Sequence, residues 1–286
     1  MKIKNKSQFI EYFSKGIKLP DQLKIGVEHE RFLFEGKEKK RITNNTLNQL
    51  FENLKKSGWS SLYEKENIIG MKRGDQQITT EPGLQCELSG APLNNIHEVC
   101  SESSTFLNEI KEASQGLNIN TVSIGFDPFN SLRTIPQSPK QRYKIMTEEM
   151  PKKGKQSLEM MYRTCGIQVN YDYVSEINFE KIFRLGNYLT PLTIALYANS
   201  PFENGKPTGF QSYRNKVWQN TSRGGIMPIA FEKMTFEKYF DYVVEYPILF
   251  AIRDKNYIEP NGQNFKDFIL GNFSNIKDEA NILDFQ

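Results

Sequence analysis

The sequence predicts an α+β fold, an antiparallel sheet with helices packed on its outer face, and three observations lead there. Strand-like and helix-like segments follow one another in mixed order, without the regular alternation of a parallel sheet. Several segments alternate apolar and polar residues with period two, as strands do when one face meets a core. Tight-turn chemistry at Arg73-Gly74-Asp75 and Pro82-Gly83 joins three of these segments in succession.

In chain order, helical spacing covers 7–15 and 44–57. In the second, Leu47, Leu50, Phe51 and Leu54 form one stripe, with Asn44 or Asn45 as the N-cap. Residues 24–34 are predicted as a strand, 66–72 and 76–81 as a hairpin, and 84–89 as the next strand. A long helix is expected over 93–113. The Pro-, Lys- and Gly-rich stretch 135–156 reads as a long ordered loop. A strand follows at 163–173, a helix at 179–198 that stops before Ser200-Pro201, and a further helix at 235–251.

A length of 286 residues suits one large domain or two small ones. Net charge is +3, from 37 basic and 34 acidic residues, so no basic excess argues for nucleic acid. No apolar run reaches the roughly eighteen residues that span a bilayer. The first eighteen residues lack an apolar core, contain Glu11 and have no arginine, which fits neither a secretory nor a transit signal. Cys86, Cys100 and Cys165 are too few and too scattered for a disulfide framework or a zinc site. The expectation is a cytoplasmic protein with no membrane or nucleic-acid partner.

Four segments carry candidate chemistry. In Gly26-Val27-Glu28-His29-Glu30-Arg31-Phe32, strand parity puts Glu28 and Glu30 on one face with Phe32 and Phe34, and His29 on the apolar face with Val27 and Leu33. Two carboxylates on one face repel unless water or a cation separates them. A solvated strand face is one reading of this pattern and a metal site is the other. Residues 80–89 add Glu81, before the turn, and Glu87, on the polar face of the next strand. Four glutamates on neighbouring strands supply the hard oxygen ligands that Mg²⁺ takes. In 163–172, Gln168, Asn170 and Asp172 form a polar face that is either solvated or suited to a zwitterionic amino acid. Finally, a Gly/Pro-rich loop runs from Asn199 to Phe210 into Arg214 and Trp218. A guanidinium there could grip a carboxylate bidentately, or simply be solvated. His29 and His97, the two histidines, read as structural. No phosphate-loop, dinucleotide-binding or Ser/His/Asp pattern is present.

Taken together, these segments resemble the plant and proteobacterial type of glutamate–cysteine ligase. The resemblance rests on Gly26-Val27-Glu28-His29-Glu30, Glu81-Pro82-Gly83 through Glu87-Leu88-Ser89-Gly90-Ala91-Pro92, and Arg142-Tyr143-Lys144-Ile145-Met146. It continues through Met161-Tyr162-Arg163-Thr164-Cys165 to Gln168-Val169-Asn170, and Ala198-Asn199-Ser200-Pro201-Phe202 to Tyr213-Arg214, all in family order. It implies a curved antiparallel sheet similar to the glutamine synthetase catalytic domain and the guanidino kinases. It also implies joining of glutamate, through an acyl phosphate formed from ATP, to cysteine, the first step of glutathione biosynthesis. Glu28, Glu30, Glu81 and Glu87 would then hold Mg²⁺, and Gln168 and Asn170 would line the substrate and nucleotide pocket. Arg214, with Trp218 beside it, would bind the glutamate carboxylate, and Arg223 would stabilise phosphate or acyl phosphate.

The resemblance further implies one catalytic domain over 1–286, incomplete at its C-terminus and poorly active as written, that is a monomer or weak homodimer. Three scattered cysteines do not supply the paired-cysteine redox switch of some plant members, and Cys86 and Cys165 have the parity of buried thiols. Two other functions fit the same residues: a related carboxylate–amine ligase using another amine, and a non-catalytic homologue that binds nucleotide or glutamate.

Overall fold

The computed structural model describes residues 2–285 except 153, 222, 223, 225–231, 255, 261, 274, 275, 277 and 278. Helix α1 (Lys6–Lys15) starts where the Asn5 side chain accepts from the Gln8 N–H. Strand β1 (Ile25–Glu35) follows, then the short β2 (Lys40–Arg41), helix α2 (Asn44–Leu54) and β3 (Ser60–Glu64). β4 (Asn67–Arg73) and β5 (Gln76–Thr80) form a hairpin turned by Gly74, whose φ of 57° suits glycine. β6 (Cys86–Ser89), α3 (Ile96–Ala113) and β7 (Ile119–Val122) complete the first half. Beyond them come α4 (Gln141–Glu149), α5 (Ser157–Arg163), β8 (Ile167–Tyr171) and α6 (Glu176–Leu196). The hairpin β9 (Phe202–Glu203) and β10 (Lys206–Pro207), α7 (Tyr213–Gln219), α8 (Phe236–Val243), the hairpin β11 (Ala251–Arg253) and β12 (Asn256–Ile258), and α9 (Phe265–Ile269) follow, ahead of a short 3-10 helix at Ile282–Phe285.

All pairings in the main sheet are antiparallel, in the order β2-β1-β6-β5-β4-β3, with β7 and β8 both on β1. The length of β1 explains this: Ile25–His29 pair with β8 and Phe32–Glu35 with β7 along one edge, while Glu28–Arg31 pair with β6 along the other. Period-two alternation then separates the faces. Leu33, Met71, Ile78, Cys86 and Leu88 form a core with Leu47, Leu50, Phe51 and Leu54 of α2 and Phe106 and Ile110 of α3. Each such side chain contributes about 1.5–3 kcal/mol on burial. The opposite face of the same strands carries Glu28, Glu30, Glu87 and Ser89.

The α+β class and the hairpin positions agree with the sequence expectation; several local readings are corrected. The α2 cap is Thr43, whose hydroxyl accepts from the Thr46 N–H, rather than Asn44 or Asn45. The stretch 135–156 is not a loop throughout, because α4 lies inside it. Its buried residues, Tyr143 and Ile145, are two apart, so no helical stripe was visible. The strand expected from 163 begins at Ile167; residues up to Arg163 finish α5. The helix expected over 235–251 ends at Val243.

Candidate active site

Glu30 sits in the middle of β1, opposite Glu87 of β6, while Glu28 lies one row away, opposite Ser89 on one side and Gln168 on the other. Glu81 is outside the ladder. It follows β5, with its N–H donating to the Gln85 carbonyl and its carbonyl accepting from Leu84 N–H, both at 2.9 Å. Leu84 takes a left-handed φ of 60°, yet its side chain is fully buried in the core. Burial worth about 1.5–3 kcal/mol outweighs a cost of about 1–2 kcal/mol for that conformation. The turn is therefore held tightly, and it brings Glu81 back over the sheet. Carboxylate oxygens of Glu30, Glu81 and Glu87 lie within 4.8 Å of one another.

Three like charges at this spacing, half-buried, oppose ionisation. Burial first, then Glu81 and Glu87, push the Glu30 carboxyl up to about 8, and burial followed by Glu81 raises Glu87. The partial compensation is local: Glu30 accepts from the Gly166 N–H, and the Ser89 hydroxyl donates to Glu87 at 2.6 Å. Neither supplies a positive charge, and Arg214 near Glu30 and Lys140 near Glu87 offset the rise only in part. A cation of hard-oxygen preference satisfies this donor set, and the cluster fits one.

Arg214 approaches from α7. Ser212 caps this helix, and the Arg214 N–H donates to the Ser200 hydroxyl at 3.1 Å. Its guanidinium packs so closely over Gly166 that a Cβ there would meet Nη2 at 2.7 Å, which explains the glycine. Since Gly166 also donates to Glu30, the arginine stands beside the carboxylate cluster, and burial lowers its pKa against the pull of Glu30. The guanidinium lies 5.2 Å from the Trp218 ring centre, one helical turn on. Arg214 Nε and Trp218 Nε1 are buried with no hydrogen-bond partner among the described residues. Two adjacent buried donors left over in this way match an anionic ligand.

A cavity of about 320 Å³ opens beside Glu81, lined by Arg142, Tyr143, Met146 and the segment 247–250. Tyr143 donates to Glu81 at 3.0 Å and accepts from Arg142 Nη2 at 2.7 Å. Lys140 Nζ donates to the Thr80 carbonyl at 2.8 Å, and burial, with Arg142 repulsion next, lowers its pKa to about 8.

The structure therefore gathers Glu30, Glu81 and Glu87, with Arg214 and Trp218 alongside, and sets Glu28 apart. The Glu28 carboxylate accepts from the amides of Gln168 and Asn170, both at 3.0 Å. The amides join the site through that carboxylate. Arg223 lies outside the described residues. Lys140, Arg142 and Tyr143 have no sequence-predicted role, since their segment has no helical periodicity; the Arg142-Tyr143 pair in the family-like motif is the available signal. His29 is on the core side, as its parity indicates, and Cys86 and Cys165 are buried while Cys100 is exposed.

An open antiparallel sheet that collects three carboxylates next to a buried guanidinium defines an α+β protein with an acidic centre. The description "glutamate-cysteine ligase family 2" belongs to the family model that matches residues 24–272, and the chain is a member of that family. It is 41% identical over 270 residues to a chloroplastic glutamate–cysteine ligase of Medicago truncatula, an alignment covering 93% of this chain and 53% of that protein. A chloroplastic glutamate–cysteine ligase A of Oryza sativa subsp. japonica is 40% identical over 270 residues, 93% of this chain and 55% of that protein. The corresponding values for the Nicotiana tabacum chloroplastic enzyme are 40%, 275 residues, 95% and 53%. The chain thus spans about half the length of the curated relatives it matches. Their naming corrects the expectation of a cytoplasmic home: these relatives are plastid proteins, and the cytoplasmic reading rested only on general features of the first residues and the cysteines.

Proposed function

We propose that residues 1–286 form one catalytic domain that joins the γ-carboxylate of glutamate to the amine of cysteine at the expense of ATP, giving γ-glutamylcysteine. The observation that carries the reading is the Glu30–Glu81–Glu87 cluster beside Arg214, on a chain that belongs to the glutamate–cysteine ligase family. In this reaction the γ-carboxylate attacks the terminal phosphorus of ATP and ADP leaves. The amine then adds to the acyl phosphate, and inorganic phosphate leaves.

Glu30, Glu81 and Glu87 would hold Mg²⁺, which when bound offsets the charge that builds on the transferring phosphoryl group. Arg214 presents its fork to the substrate α-carboxylate, and the Trp218 indole N–H is a second donor at its side. Gln168 and Asn170, anchored on Glu28, offer amides to the substrate and nucleotide from the neighbouring strand. The half-buried sheet face lowers the effective dielectric around the three carboxylates and Arg214 and strengthens their contacts.

The test is ADP release with Mg²⁺ and glutamate, varying the acceptor amine. Release that requires glutamate and accelerates with cysteine supports the proposal. A stronger response to another amine would move the assignment to a sister carboxylate–amine ligase, and glutamate binding without ADP release for any amine would overturn catalysis.

A further inference from the structure

Glu30 and Glu87 are each steadied from within the sheet, by the Gly166 N–H and the Ser89 hydroxyl. Glu81 has no such neighbour. Among the described residues its carboxylate has one hydrogen-bond donor, the Tyr143 hydroxyl at 3.0 Å. A phenol carries one proton, and Tyr143 has two acceptors within reach, because the Thr80 carbonyl stands at 3.2 Å. Two neighbours decide between them. Lys140 Nζ already occupies the Thr80 carbonyl at 2.8 Å, and a charged acceptor outbids a neutral one. Arg142 donates to the phenol oxygen at 2.7 Å, which polarises its O–H toward the carboxylate. The segment is itself tied to the Glu81 turn, since the Ser138 N–H donates to the Pro82 carbonyl at 2.9 Å.

We infer that Tyr143 is a positioning residue for Glu81, its proton directed there by Lys140 and Arg142, and that it sets the affinity of the carboxylate cluster for a divalent cation. The inference rests on the proposed metal-binding role of Glu30, Glu81 and Glu87. A carboxylate with one oxygen held by a hydrogen bond keeps the other aimed at the ion, and losing such a support typically costs about ten- to a hundred-fold in metal affinity. Glutamate would bind at the Arg214 side, and its affinity should not follow.

The experiment measures Mn²⁺ affinity by electron paramagnetic resonance on the 286-residue chain without nucleotide, for the wild type, Tyr143→Phe, Glu81→Gln and Thr147→Val. Tyr143→Phe keeps the ring in place. Thr147→Val disturbs the same helix, where the Thr147 hydroxyl bonds the Tyr143 carbonyl and the Tyr162 hydroxyl, without touching Glu81. The inference expects Tyr143→Phe to weaken Mn²⁺ binding about tenfold, Glu81→Gln to weaken it more, and Thr147→Val to match wild type, with glutamate affinity unchanged in Tyr143→Phe. Wild-type affinity in Tyr143→Phe, with loss in Glu81→Gln, overturns the inference and leaves the metal site standing. An equal loss in Thr147→Val also overturns it, because the effect would then belong to the helix. If Glu81→Gln binds Mn²⁺ like wild type, the proposed metal site fails and this inference falls with it.

Discussion

The two flanks of β1 differ as much as any two regions of this molecule. Through β6, β5 and β4 the sheet is backed by α2 and α3, and Leu33, Ile78, Leu84, Cys86 and Leu88 are 0% exposed. Across the other edge, β8 is exposed on both faces, with Ile167 at 64% and Tyr171 at 62%, and α6 leaves Leu192 at 52% and Leu196 at 67%. The charge cluster belongs to the first flank, where packed strands can hold three carboxylates together against their repulsion. The amides of Gln168 and Asn170 belong to the second, where little but the β1 ladder fixes them. Repelling groups demand a stiff mount; adaptable amides do not.

The largest effect expected from this contrast is on stability. Phe51→Ala, in the packed flank, should cost about 3–5 kcal/mol in urea unfolding; a loss under about 1 kcal/mol would mean that α2 does not mount the sheet. Next is Arg214→Ala, which should weaken glutamate binding by about 1.5–3 kcal/mol, roughly ten- to a hundred-fold by calorimetry. Weakening confined to ATP would contradict its place on the glutamate side.

The pH dependence of the packed flank sharpens the comparison further. The Glu30 carboxyl, raised to about 8 chiefly by burial, keeps its proton at neutral pH when no cation is present. An ion must displace that proton, so Mn²⁺ affinity should climb as pH rises toward 8 and level off above it, by at most about tenfold per pH unit for one proton released. The metal-free fold should move the opposite way. Between about pH 5 and 8 the folded state holds a proton that the unfolded chain has released, so stability falls with rising pH, and Glu30→Gln should flatten that slope. An affinity independent of pH from 6 to 8 would show that Glu30 is already ionised.

Glu28→Gln should weaken Mn²⁺ binding less than Glu30→Gln, since Glu28 is spent on two amides in the next row; equal losses would return it to the cluster. The smallest change belongs to the bare flank. Leu192→Ala should alter the stability of the 286-residue chain by no more than about 0.5 kcal/mol, the usual range for an exposed site. A cost above about 2 kcal/mol would show that α6 is packed in solution.

Much of this was legible in the residues. The parity of β1 put Glu28 and Glu30 on the face opposite His29 and Leu33, and Glu81 was placed just before the Pro82-Gly83 turn. Parity states which face a side chain takes, and the ladder's chemistry is local, so sequence alone determined the faces of β1 and β6, the α2 stripe, the buried parity of Cys86 and the acidic character of the site; Cys165 is buried against Phe32 and Phe34, while Ile167 and Val169, its expected face-mates, are exposed. It could not separate Glu28 from Glu30, which share a face; that was decided by register, which set Gln168 opposite Glu28 and Glu87 opposite Glu30. Nor could it give Tyr143, present in the family-like motif, a partner. Its helix buries residues two apart and has no side-chain cap, so it has no periodic signal, and its hydroxyl meets Glu81, 62 positions away in sequence, only because the chain folds back onto the turn. Charge, face and turn are properties of neighbours along the chain. Which carboxylates meet, and what steadies them, are properties of contacts between distant segments, and only the tertiary structure brings those together.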